Sequence, residues 1–177
     1  GFTSYYDELI LRRAGFYSED EYLAKVFSTI NYVENTPGNK VQPVAHASFD
    51  AWIKAYRPNE NSSNTTMTYY SRGAVLGAVL DAYLIQKSKG KQGLDGFMQL
   101  LYNKYALGLQ RGFTEVEFLD ELEHYCGEDL DAFFESYVNG TQIIPYKQYF
   151  EPMGMQVIDN SAALTNFGLA LEDGEIV

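Results

Sequence analysis

A chain of 177 residues, 46% hydrophobic and 21% charged, carries enough apolar mass for one domain with a real core and too much for a disordered segment. Its net charge of −11 excludes a basic stripe able to neutralise phosphates, and with it nucleic acid and anionic membrane surfaces as partners. A single cysteine, Cys126, excludes an internal disulfide, and the longest apolar run, Gly73 to Ile85, is broken by Asp81 and too short to span a bilayer.

The spacing predicts helices nearly throughout. Helix one spans about 2–14, with Phe2, Tyr5, Tyr6, Leu9 and Ile10 at helical intervals and Gly15 as its stop. Ser4 with Asp7 is a weak cap signal, and a helix entered from upstream fits as well. No signal peptide or initiator methionine is visible, so the chain reads as a piece of something longer. Ser18 with Glu21 is a capping box for helix two, which turns Tyr22, Val26, Phe27, Ile30 and Val33 inward and ends at Pro37-Gly38. Ser48 is expected to cap a short helix with Phe49, Trp52, Ile53 and Tyr56 as its inward stripe, stopped at Arg57-Pro58.

The polar loop 58–66 then feeds a helix over about 68–88 that is apolar nearly all round and is therefore the buried, central one. Gly73 and Gly77, four apart, allow another helix to approach it closely. Helix five covers about 94–106 before Gly108; Thr114 and Glu117 form a second capping box for a helix ending at Gly127. Another helix spans about 129–138, and Pro145 suits the first position of a short last one. From Met155 the pattern becomes extended, and alternation around Asp173-Gly174 predicts a hairpin cut off at Val177. There is no fixed-period repeat. The expected class is all-α, as residues 1–154, followed by a linker and truncated β tail over 155–177.

The residues alone complete no active site. His46 and His124 are the two histidines; Asp120 and His124 share a helix face, but no second histidine or cysteine supports a metal there, and a solvated acidic face explains them as well. No HExxH, CxxC pair, phosphate loop or dinucleotide fingerprint occurs. The sequons at Asn61, Asn64 and Asn139 lie in polar turns where such triplets arise by chance.

Two stretches nevertheless resemble a known family. "GFTSYYDEL", residues 1–9, resembles the segment after the third zinc ligand of thermolysin-like and aminopeptidase-like zinc peptidases. "YYSRGAVL", residues 69–76, resembles their downstream Tyr-x-Lys-Gly motif. The stretch 47–74 and "YVNGT" at 137–141 are similar to the glycyl aminopeptidase family of zinc metallopeptidases, and "FGLALEDGEIV" to the opening strands of the PDZ-like module that follows the peptidase domain there.

The resemblance implies the helical C-terminal half of a peptidase domain that removes N-terminal residues, glycyl or alanyl among them, from peptides. The HExxH helix and the glutamate ligand would then lie upstream, so zinc belongs to the intact parent, no metal ligand is expected in this chain, and the isolated fragment is expected to be inactive. Its partners would be the peptide substrate and the upstream half of the domain. Tyr70 takes the oxyanion-donor role, because the motif's tyrosine maps onto it; Arg72 stands where lysine is usual. Asp7, two turns past the inferred glutamate, takes the outer role of orienting a zinc-binding histidine, against the plainer alternative of an exposed helix acid. Glu60 is the candidate for meeting a substrate amino group. Tyr70 as a core aromatic, and the whole chain as a non-enzymatic helical interaction module, remain the alternatives. Nothing in the residues fixes a compartment; a soluble parent, periplasmic or secreted, is one open placement.

Overall fold

The computed structural model describes residues 1–159 together with 171–172 and 175–176. Its helices are α1 (Phe2–Arg13), α2 (Glu19–Asn35), α3 (Val44–Phe49), α4 (Ser62–Thr65), α5 (Tyr69–Lys87), α6 (Leu94–Leu101), α7 (Glu115–Cys126), α8 (Asp131–Tyr137) and α9 (Tyr146–Phe150). Over residues 1–159 the protein is all-α. Two short strands, Leu171–Glu172 and Glu175–Ile176, pair antiparallel. Their connecting Asp173-Gly174 lies outside the described residues. Among the described residues, no helix is long and apolar enough to cross a membrane.

Local signals set most helix ends. Ser18 accepts from the Glu21 N–H while the Glu21 carboxylate accepts from the Ser18 N–H at 2.8 Å, so both ends of the box are closed. Thr114 and Glu117 repeat this at α7, whose end is the left-handed Gly127 (φ 73°). α1 begins at Gly1 without a side-chain cap. Pro145 sits at the N-cap of α9, one residue before the expected position. The predicted fifth helix is present, but its ladder widens to a π-helix over Tyr102–Gly108 after Leu101.

α5 is the core. Ten of its nineteen residues are buried, Val75, Val79, Leu80 and Leu84 among them, and each such Val or Leu contributes roughly 1.5–3 kcal/mol by leaving water. α1, α2, α3, α6 and α9 pack around it. α1 runs parallel to α5 in a fixed register: the backbone of Gly1 meets Gly73, and Tyr5 meets Gly77. The Tyr5 hydroxyl then donates to Asp81 Oδ2 at 2.6 Å. Asp81 also accepts from the Leu94 N–H at 2.6 Å, which caps α6, whose own N-cap Gly93 has no side chain to do so.

The segment 44–57 differs from expectation. The helix starts at Val44, after Pro43, and is over at Asp50, so Ser48 stands in its last turn rather than at its start. Beyond it, residues 50–57 form successive turns, with Ile53 and Lys54 N–H both donating to the Asp50 carbonyl at 3.0 Å. The expected inward stripe faces out: Phe49 is 89%, Trp52 78% and Ile53 70% exposed. The inward residues are Ala47 and Ala51, also four apart, and their small side chains let this backbone lie close against the core.

Candidate active site

Tyr70 stands in the first turn of α5, just after Thr68, whose side chain accepts from the Tyr70 N–H at 3.3 Å. Two contacts deliver the chain to that point. Gly38 lies against the Thr66 backbone, and the Met67 N–H donates to the buried Gln42 Oε1 at 3.3 Å. One turn later the helix enters the core at Arg72 and Gly73. Tyr70, Gly73, Gly77 and Asp81 fall on one stripe at intervals of three and four, and it is the stripe that α1 packs along. Tyr69, four residues before Gly73, falls on the same stripe, and Tyr70 beside it remains 47% exposed.

Three phenols meet here. The Tyr70 hydroxyl lies 2.9 Å from that of Tyr56, and Tyr56 lies 3.3 Å from that of Tyr69. The Tyr69 and Tyr70 rings stack with centroids 4.3 Å apart, and Trp52 stacks on Tyr56 at 5.0 Å. Hydrogen bonding with Tyr56, then with Tyr69, holds the Tyr70 phenol below the ordinary tyrosine value, while hydrogen bonding with Tyr56 and Tyr70 pushes Tyr69 up. Either hydroxyl of the Tyr56–Tyr70 pair can be the donor, and whichever accepts keeps its own proton for another partner.

Arg72, two residues on, is 2% exposed. Its guanidinium reaches Glu34 Oε1 at 3.4 Å and donates to the Gln142 carbonyl at 3.1 Å. Tyr146 donates to the same Glu34 oxygen at 2.5 Å, and burial with that carboxylate pushes the Tyr146 phenol far up. The first turn of α5 is thereby tied to α2 and to the segment before α9.

Asp7 is exposed, in the second turn of α1. Glu60 is exposed in the turn before α4. No contact joins Asp7 or Glu60 to Tyr70 among the described residues. Tyr56 was missing from the candidates of the sequence; Arg72 appeared there for its motif position alone, although a lone arginine in so apolar a helix is itself a signal for a buried partner.

The zinc implied by the resemblance finds no matching donor set among the described residues. His46 and His124 are exposed and belong to no cluster, and the acidic residues that converge are Glu123, Asp129 and Asp131 at the α7–α8 junction. Glu123 accepts from the Leu130 N–H and Asp129 from the Asp131 N–H, so two of these carboxylates serve the start of α8. An all-carboxylate set is also hard, without the nitrogen or sulfur donors zinc prefers. The described residues do not fit a zinc site, and no chemical step is assigned through one in this chain.

Comparison with known proteins gives two matches. The model of the M61 glycyl aminopeptidase family matches residues 1–76, the span from α1 into the first turns of α5. A solved structure of an aminopeptidase N family protein from Idiomarina loihiensis superposes with a TM-score of 0.80 at 29% identity, covering 85% of this chain and 26% of that one. The chain thus spans about a quarter of the solved relative it matches. No curated protein matches. The family model matches less than half of the chain, and the solved structure, of an aminopeptidase N family protein, shares the fold over 85% of it.

Proposed function

We propose that this chain is the helical half of the catalytic domain of a zinc metallo-aminopeptidase that removes N-terminal residues, glycyl or alanyl among them, from peptides. In this reading residues 1–154 belong to the catalytic domain and 155–177 open a PDZ-like module, and the zinc ligands and general base are contributed by the upstream half of the domain. The observation that carries it is the position of Tyr70: an exposed phenol in the first turn of α5, three residues before the glycine that meets the start of α1.

What this chain contributes is a hydrogen bond and a shape. When a peptide carbonyl is attacked, negative charge grows on its oxygen, and a donor fixed in advance stabilises that charge more than it stabilises the ground state. A phenol more acidic than ordinary tyrosine is the stronger donor while it stays protonated. Hydrogen bonding with Tyr56, then with Tyr69, holds the Tyr70 phenol below the ordinary tyrosine value, which favours it as a donor. The parallel α1–α5 register supports the assignment: an inferred glutamate ligand just before Gly1 would fall next to Gly73, one turn from Tyr70. Asp7, two turns further along α1, would share that glutamate's face and act on the metal through a ligand rather than directly. Glu60 is the candidate for the substrate amino group.

The test is Tyr70→Phe in the intact peptidase, with kcat and KM measured separately. A second reading, a non-enzymatic helical interaction module, is favoured by the exposed Phe49, Trp52 and Ile53. Full turnover in Tyr70→Phe would favour it.

A further inference from the structure

The proposed chemistry asks a single proton to point at the substrate, and nothing in an isolated surface tyrosine directs it there. A phenol has one proton and turns about its C–O bond. Bonded the wrong way, the Tyr70 proton would be spent on a neighbour.

We infer that Tyr56 is the positioning residue of this site: its hydroxyl donates to Tyr70 Oη, which turns the Tyr70 proton outward to the developing oxyanion. The inference rests on the reading of Tyr70 given above. Three observations on the molecule carry it. The Tyr56–Tyr70 pair, at 2.9 Å, is the shorter of the two contacts Tyr56 makes, the other being 3.3 Å to Tyr69. Tyr56 is itself held: Trp52 stacks on its ring at 5.0 Å, and its N–H donates to the Ala51 carbonyl at 3.0 Å within the turns of 50–57. The Tyr70 ring is held from the other side by Tyr69, stacked at 4.3 Å. Tyr56 and Tyr69 are the titratable groups that act on Tyr70, and both act through hydrogen bonds. The outward-facing aromatic segment, which looks misplaced as core, thereby acquires a role: it brings a second hydroxyl to the head of α5.

The inference is tested first without catalysis. In the 177-residue chain carrying ring-labelled tyrosine, the titration of Tyr70 is followed by NMR in the parent, in Tyr56→Phe and in Tyr69→Phe. Phenylalanine keeps the stacking on Trp52 and removes only the hydroxyl. The Tyr70 midpoint should rise in Tyr56→Phe and rise less in Tyr69→Phe. A midpoint unmoved by Tyr56→Phe, or moved by Tyr69→Phe alone, overturns the inference whatever the activity. As a second variant, Trp52→Leu leaves every hydroxyl in place and frees the Tyr56 ring; it should move Tyr70 in the same direction.

In the intact peptidase Tyr56→Phe should lower kcat by about tenfold, the low end of what an outer hydrogen-bond partner contributes, with KM little changed. Because activity needs Tyr70 protonated, the alkaline limb of the pH–rate profile should move to higher pH. A normal kcat and unmoved limb overturn the positioning role even if Tyr70 titrates as expected. Failure of the reading beneath is separate: Tyr70→Phe would then retain full turnover.

Discussion

Gly77→Ala sets two effects of similar size against each other, and the structure decides between them. Alanine in place of glycine within a helix is worth about 1 kcal/mol in propensity. A Cβ built on Gly77, however, would lie 2.9 Å from Tyr5 Cβ and 3.1 Å from its Cγ, with Phe2 Cδ1 at 3.4 Å. Tyr5 Cβ cannot swing aside, because it belongs to the backbone end of its side chain. The tyrosine's far end is also tied to Asp81 at 2.6 Å. Relief therefore requires α1 to move off α5, which stretches a hydrogen bond to a charged group worth about 1.5–3 kcal/mol and opens a contact whose overpacking costs about 1–3 kcal/mol. The net expectation is a loss of about 1–2 kcal/mol after the propensity gain. For a domain of this size that lowers the melting temperature by about 3–6 °C. Thermal unfolding followed by circular dichroism measures it. An unchanged or raised melting temperature would mean that α1 and α5 are not pressed together at this register, and the placement of Tyr70 relative to α1 would lose its basis.

Arg72→Met should destabilise by about 3 kcal/mol, the low end for one partner of a buried pair, because Glu34 keeps Tyr146 and some solvent; a urea midpoint within error of the parent would show that the pair contributes nothing. Alkaline unfolding should begin near pH 10, where unfolded tyrosines ionise. Tyr5 and Tyr146 are pushed up by burial together with Asp81 and Glu34, and Tyr149 is pushed up by burial to about 12. Groups with raised folded pKa values contribute stability that is full below the unfolded value and is lost as pH rises through the folded one. Their phenolate absorbance should therefore appear together with loss of helix signal, and ordinary titration near pH 10 with the helices intact would contradict it. Asp7→Ala should leave the stability of this chain unchanged while lowering zinc retention or turnover of the intact peptidase by about 10- to 100-fold; unchanged zinc retention and turnover return Asp7 to the role of an exposed acid.

What could be read from the residues was what is local. The two capping boxes lie within four residues, and α5 announces itself by being apolar on every side, so their positions followed from spacing alone. The close approach of α1 at Gly73 and Gly77 was legible because it needs only the absence of two side chains. The errors came from contacts distant in the chain. Phe49, Trp52, Ile53 and Tyr56 have the period of a buried stripe, but Ala47 and Ala51 share that period and are the ones that face inward. The capping of α6 by Asp81 and the Arg72–Glu34–Tyr146 cluster join separate helices, and no window along the sequence contains their members. The site divides in the same way. Tyr70 was a candidate from its own motif and the polar loop before it, whereas Tyr56, the proposed positioning residue, comes beside it only once residues 50–57 turn back on the head of α5.

The central claim, that Tyr70 supplies the oxyanion hydrogen bond, is tested most directly by kcat and KM of Tyr70→Phe and Tyr69→Phe in the intact peptidase. Tyr70→Phe loses only a hydroxyl on a side chain that is 47% exposed, so the fold should survive. Its kcat should fall by about 10²–10³, as on removal of one oxyanion donor, with a smaller change in KM. Tyr69→Phe should stay near the parent. Full turnover in Tyr70→Phe, or a loss confined to Tyr69→Phe, contradicts the assignment.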